Sequence, residues 1–243
     1  MAYRLFLLAI AGLFLNVNQV QAQEEKKDPR FMLGFNAGAN FSRISNNDTF
    51  PVNFTRRNRL GIALGVSGIY DISSNAGIAF GANFVQKGYR VNNDTLPASP
   101  DINRKFWSVN IPLGLHFRQQ FNAQNYITEK FGVIANFNFR GDSASFVNDD
   151  RKPAFLIKET SARNFYPMFY LGFAMGGTSE NNNRYEFGVT YTQSLSNDAS
   201  LMVLHSEGLK KQFPLNYRGG FLQIGFTYYF NLSNFKKSRG YFY

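Results

Sequence analysis

The chain of 243 residues contains no cysteine, which excludes a disulfide scaffold, a thiolate metal site, a cysteine nucleophile and a lipid anchor on an N-terminal cysteine. It has one tryptophan and two histidines, so any chemistry that needs imidazole has only His116 and His205 to draw on. Acids are scarce, 16 against 26 Lys and Arg, for a net charge of +10. Apart from one stretch at the start, no segment approaches the roughly 18 consecutive apolar residues of a membrane-spanning helix, which excludes a helical inner-membrane protein. That stretch, residues 5 to 15 (LFLLAIAGLFL), follows Arg4 and precedes Val20, Gln21 and Ala22, the pattern of a secretory signal peptide with cleavage after Ala22. The expected organisation is a cleaved segment 1–22, a short periplasmic segment 23–30, one domain over 31–231 and a tail over 232–243.

What the sequence has in excess is aromatic and small residues: 27 Phe, 13 Tyr and 21 Gly, with only 17% charged residues. That is too much large apolar surface for a disordered chain. The apolar residues recur every second position. Trp107, Val109, Ile111, Leu113, Leu115 and Phe117 alternate with Ser108, Asn110, Pro112, Gly114, His116 and Arg118, a separation that only a strand produces. The same alternation starts at Phe31, Leu60, Ile78, Phe131, Phe169, Tyr185 and Leu222, giving eight strands.

The connections, residues 44–56, 72–75, 91–103, 119–125, 141–165, 178–183 and 196–217, alternate long and short without exception. An up-and-down barrel with short turns on one rim and long loops on the other has this signature, and outer-membrane barrels keep the short turns in the periplasm. On every strand one face is Phe, Leu, Ile, Val or Tyr and the other Gly, Asn, Ser or Thr with a few ions. A soluble barrel would point its large apolar residues inward. The opposite distribution is what lipid requires, so the fold class is all-β: an eight-stranded antiparallel up-and-down transmembrane barrel in a Gram-negative outer membrane.

Several segments carry a family resemblance. Phe31-Met-Leu-Gly-Phe-Asn-Ala-Gly-Ala-Asn-Phe-Ser42, Gln86-Lys-Gly-Tyr89, Val109-Asn-Ile-Pro-Leu113 and Gly225-Phe-Thr-Tyr-Tyr-Phe230 resemble the PorT-type outer-membrane β-barrel family of Bacteroidetes. The resemblance spans the mature chain, and the Ile-Pro-Leu segment is its most specific part. It implies an eight-stranded outer-membrane barrel; most members have no assigned activity, and the founding member is tied to type IX secretion and gliding. One departure is the stretch Asn231 to Tyr243 behind the last strand. Either Phe230 or the terminal Tyr241-Phe242-Tyr243 is the signal read by the barrel assembly machinery.

The cations Arg43, Arg56, Arg57, Arg59, Lys87, Arg90, Arg104, Lys105, Arg140, Arg163 and Arg218 fall where strands meet long loops, while Asp48, Asp94, Asp101, Asp142, Asp149, Asp150, Glu159, Asp198 and Glu207 lie further out. Arg43, Arg57, Arg59, Arg90, Arg104, Lys105, Arg140 and Arg218 are therefore expected at the outer rim, level with lipopolysaccharide phosphates. A generic solvated rim is the competing account. Nucleic acid is a poor explanation, because the chain is exported and its cations form no compact stripe. Inside the barrel, Asp71, His116, Arg118, Lys130, Arg184, Glu186 and Gln223, with Asn110 and Asn136, are expected to form a side-chain network that plugs the lumen; a gated ion or proton path is the alternative.

No catalytic constellation is evident. His116 has no spaced Ser and acid around it, and His205-Ser206-Glu207 is contiguous, which does not make a triad. Asp149-Asp150 lacks the Gly turn and closing Glu of a calcium loop, and Gly61-x-x-x-Gly65-x-x-Gly68 lacks the Lys-Ser/Thr of a phosphate loop. The expectation is a monomeric structural or docking barrel with no cofactor and no metal. The alternatives are an accessory component of a secretion or gliding machine, with its subunits as partners, and a narrow transporter. Residues 141–165 and 196–217 carry more apolar side chains (Phe146, Phe155, Leu156, Ile157, Leu201, Met202, Val203, Leu204) than solvated loops need, consistent with packing over the barrel mouth or with a docking surface.

Overall fold

The computed structural model describes residues 31–45, 54–93, 102–122, 124–139, 155–162, 164–179, 182–195, 199–205 and 212–232. The expected signal peptide, N-terminal segment and tail after residue 232 lie outside them, as do Arg140, Arg163 and the loop tips. Eleven strands are described: β1 (Phe31–Ser45), β2 (Phe54–Arg57), β3 (Arg59–Asp71), β4 (Ala76–Asn93), β5 (Ile102–Gln120), β6 (Asn125–Phe139), β7 (Phe155–Ala162), β8 (Phe165–Thr178), β9 (Arg184–Ser194), β10 (Ala199–His205) and β11 (Gln212–Asn231).

Eight of these, in the order β1-β3-β4-β5-β6-β8-β9-β11, form one antiparallel sheet that closes on itself where β1 pairs with β11. They are the eight strands expected from the alternation. The seam runs without a break from Met32 opposite Asn231 to Ser45 opposite Arg218, so no membrane-level edge is left unpaired along it.

The wall is inside-out. On β3, Leu60, Ile62, Leu64, Val66 and Tyr70 are exposed, while Arg59, Gly61, Ala63, Ile69 and Asp71 are buried. At about 3.3 Å per residue and a tilt of about 40°, the span from Leu60 to Tyr70 covers about 25 Å, the height of a membrane barrel's apolar band. Outward aromatic rings pair across strands, as Phe117 with Phe131 at 5.7 Å and Phe137 with Phe165 at 5.0 Å between centroids. Among the described residues no helix is long and apolar enough to cross a membrane, and the crossing is made by strands. An even-numbered, closed, antiparallel barrel with this wall is the architecture of the Gram-negative outer membrane, and that is where the chain resides.

The short turns are built from local hydrogen bonds. Ser73 Oγ accepts from the amides of Asn75 and Ala76, and Asn122 Oδ1 accepts from those of Gln124 and Asn125. In the third, Asn182 takes a φ of 57°, a left-handed conformation that Asn tolerates better than most residues. Pro112 lies within β5, where it lacks an amide hydrogen. The ladder with β4 is interrupted there, between Phe80 opposite Leu113 and Asn83 opposite Asn110, with the register unchanged on either side.

Two expectations need correction. The strands outrun their apolar stretches: β4, β5 and β11 have 18, 19 and 20 residues, against the roughly 9–11 that cross a bilayer. The apolar residues at 155–157 and 201–204 belong to strands rather than loops. β7 pairs with β10 and β10 with β11, extending the sheet beyond the barrel. Outside lipid both faces of a ladder meet water, so the two-fold apolar signal that marks the membrane portion fades.

A charge on the lipid face measures this orientation. Leu64→Arg, near mid-height on β3, is expected to cost about 2–4 kcal/mol in denaturant unfolding from lipid vesicles, and the same change at Leu60, near the outer end of the band, much less.

Candidate functional site

The lumen is the place where this chain concentrates buried polar groups. Alternation sends every second residue inward, and at mid-height many of those are glycines, which lets the strands approach closely. Gly114 faces Gly132 across β5 and β6, and a Cβ on Gly132 would fall 2.5 Å from Gly114 Cα. The barrel is consequently narrow, and a few large side chains fill it.

At the end carrying the short turns, Met32, Ile69 and Tyr229 form a buried cluster. Beside it Arg184 grips Asp71 with both terminal nitrogens, Nη2 to Oδ2 at 2.6 Å and Nη1 to Oδ1 at 3.3 Å. Arg118 donates to the Ser74 carbonyl and lies 5.7 Å from the centre of the Tyr126 ring. Toward the outer end a larger cluster joins Ala63, Val85, Ile134, Tyr166, Met168, Tyr170 and Phe221. Lys87 is buried within reach of it. Its Nζ donates to Asn136 Oδ1 at 2.5 Å and Asn110 Oδ1 at 3.4 Å and lies 4.9 Å from the centre of the Phe221 ring.

Between the two clusters lies a polar chamber of ≈ 60 Å³, lined among others by Asn36, Lys130, Glu186, Thr190, Gln223 and Thr227. Lys130 pairs with Glu186 and donates to the Tyr229 hydroxyl at 3.0 Å. His116 Nε2 lies 3.5 Å from Glu186 Oε1, at ion-pair distance but without hydrogen-bond geometry, and neither ring nitrogen has a hydrogen-bond partner. Asn36 donates to Ser67 Oγ at 2.6 Å and Asn83 Oδ1 at 2.8 Å, leaving its own Oδ1 without one. A chamber of this size with unmet acceptors suits a few ordered waters.

The seven lumen residues named from the sequence thus fall into three groups. Lys130, Glu186 and His116 meet at the chamber, Asp71 and Arg184 pair below it, and Arg118 caps the turn at 72–75. Gln223 lines the chamber without belonging to the ion pairs. The reading of a small and polar lumen missed Met32, Ile69, Val85, Ile134, Met168, Phe221 and the tyrosines, which share lumen parity with the glycines and asparagines.

The rim set divides differently. Arg57 and Lys105 are exposed and Arg90 is half-buried. Arg59 corrects the expectation, since it is buried at 8% exposure on the lumen face. Lys87 likewise belongs to the lumen, and two-fold parity from Asn83 and Val85 was the signal that could have placed it there. Arg43, Arg104 and Arg218 are placed by register only, opposite Gly220, Tyr89 and Ser45.

With carboxylate and cation this deeply buried, breaking one partner is more damaging than losing the pair. Glu186→Gln and Asp71→Asn are each expected to destabilise the barrel by about 3–5 kcal/mol, whereas the double change Asp71→Leu with Arg184→Leu costs less than Asp71→Asn alone. Urea unfolding in vesicles, followed by heat-modifiable gel migration, measures all three.

No protein-family model matches the chain, and no curated protein does. Among solved structures it is similar to the outer membrane protein OprG from Pseudomonas aeruginosa, at 16% identity and a TM-score of 0.47 over 84% of this chain and 97% of that one. It is also similar to Neisserial surface protein A, at 12% identity and a TM-score of 0.44 over 81% and 95%, and to AlkL solved in lipid bilayers, at 15% and 0.42 over 88% and 97%. The inside-out wall and closed ladder stand independently of these likenesses.

Proposed function

We propose that the protein is a non-conducting, non-catalytic outer-membrane barrel that serves as a structural or docking platform, with its function in the segments outside the membrane. The observation that carries this reading is the pair of side-chain clusters across the lumen, at Met32, Ile69 and Tyr229 and at Tyr166, Met168 and Phe221, with ion pairs between and beside them. They oppose the narrow-transporter alternative. His116, without a hydrogen-bonded hydroxyl partner, gives no support to a nucleophile and base pair. Phe230, outward-facing at the end of β11, supports the reading that the barrel assembly machinery recognises this strand.

A second reading, an accessory subunit of a type IX secretion or gliding machine, is favoured by the PorT-like segments, Val109-Asn-Ile-Pro-Leu113 above all, and by β7 and β10, which build sheet outside the barrel for a partner to meet. Mild-detergent purification separates the two. Stoichiometric co-purifying subunits support the machine, and a lone heat-modifiable monomer carrying lipid supports the free platform.

Reconstituted into planar bilayers, the protein is expected to show no unitary conductance. Truncating both clusters, by Tyr166→Ala and Phe221→Ala together with Tyr229→Ala, is expected to produce small steps. Ohmic conductance of the unaltered chain would reverse the reading.

A further inference from the structure

Among the described residues, the cations of the outer rim fall on neighbouring strands of the wall. Following the wall, Arg218 on β11 lies opposite Ser45, Arg43 on β1 opposite Gly220, Arg57 on β2 opposite Arg90 on β4, and Lys105 on β5 opposite Gly88. The outer halves of β8 (Phe165 to Tyr170) and β9 (Tyr191 to Ser194) carry no charge.

Within this arc Arg57, Arg90 and Lys105 share a face. Phe84 and Trp107 are exposed on the lipid side, and the same parity continues up β4 to Arg90 and up β5 to Lys105. Arg57 and Arg90 are direct cross-strand neighbours, with Cβ atoms expected about 4.5–5.5 Å apart, and Lys105 is diagonal to Arg90 at about 7–8 Å. Lys105 precedes Trp107 by two residues, about 7 Å along the strand, which puts it just beyond the apolar band. Opposite Lys105, Gly88 adds no side chain to the face. A phosphate that meets the three side chains can accept charge-assisted hydrogen bonds from all of them, bidentate from each guanidinium.

We propose that Arg57, Arg90 and Lys105 clamp a phosphate group of a lipopolysaccharide molecule in the outer leaflet, whose acyl chains lie down the apolar strip of Leu60, Ile62, Phe84 and Trp107. The clustering of the three cations on adjoining strands makes this a local lipid site, and the site is independent of whether the lumen conducts.

Trp107, the chain's one tryptophan, sits beside the clamp and reports on it. The full mature chain, folded in detergent, is titrated with diphosphorylated lipid A while Trp107 emission is followed, with dephosphorylated lipid A, inorganic phosphate and heparin as parallel probes. Saturable binding is expected for diphosphorylated lipid A alone. The variant R57Q/R90Q/K105Q is expected to weaken it at least about tenfold, whereas K236Q/K237Q/R239Q, which removes equal charge from the tail, leaves it unchanged. If the triple variant does not run as a folded, heat-modifiable band, R57Q and K105Q are tested singly, each expected to weaken binding several-fold. Undiminished affinity in the folded variants, equal loss in the tail variant, or equal binding of dephosphorylated lipid A overturns the proposal. Equal binding of phosphate or heparin assigns the clamp to a free polyanion instead and overturns the lipid source.

Discussion

Everything in this molecule depends on the ladder between its first and last long strands. In hydrocarbon an unpaired amide or carbonyl has no water to turn to, so a sheet survives there only when its two edges meet. β1 and β11 meet along their common length. Closure fixes which face of each strand looks outward, and from that follow the apolar belt, the polar interior and the small bore. The residues that permit it are inconspicuous ones, the glycines that let neighbouring strands approach at mid-height.

A narrow bore makes the interior a second core, though an unusual one. Tyrosines, two methionines, Phe221 and a few branched side chains close it at two levels, and carboxylate and cation pairs occupy the spaces that apolar groups leave. A buried pair adds little net stability over a well-packed apolar substitute, because desolvation offsets attraction. Its contribution here is geometric: Asp71 with Arg184 ties β3 to β9 across the closing seam, and Lys130 with Glu186 ties β6 to β9 past β8. The same groups leave between the clusters a chamber of ≈ 60 Å³, room for a few waters, and the proposed docking role accordingly rests on the outer wall and the segments beyond the membrane.

The eight strands and their faces were legible because lipid imposes a strict period of two on a chain whose other face is glycine and asparagine. Legibility stopped where lipid stops. β7, β10 and the outer part of β11 were read as loops, since a ladder with water on both sides has no reason to alternate. Within the lumen, parity identified Asp71, Lys130, Arg184 and Glu186 as interior groups but could not pair them, because partners 113 or 56 residues apart meet only through the strand order and curvature of the barrel. Lys87 and Arg59 were assigned to the rim from their position near strand ends, when their parity with Asn83 and Ala63 already pointed inward.

The absence of cysteine offers the most direct test of a closed lumen. A single cysteine placed at Thr190, inside the chamber, or at Lys105, exposed near the outer end of β5, meets a membrane-impermeant maleimide in intact cells and in vesicles of either orientation. Thr190→Cys is expected to resist labelling from both sides until the barrel is unfolded, while Lys105→Cys reacts readily from outside. Rapid labelling of Thr190→Cys in the folded barrel would show an open water path and contradict the account.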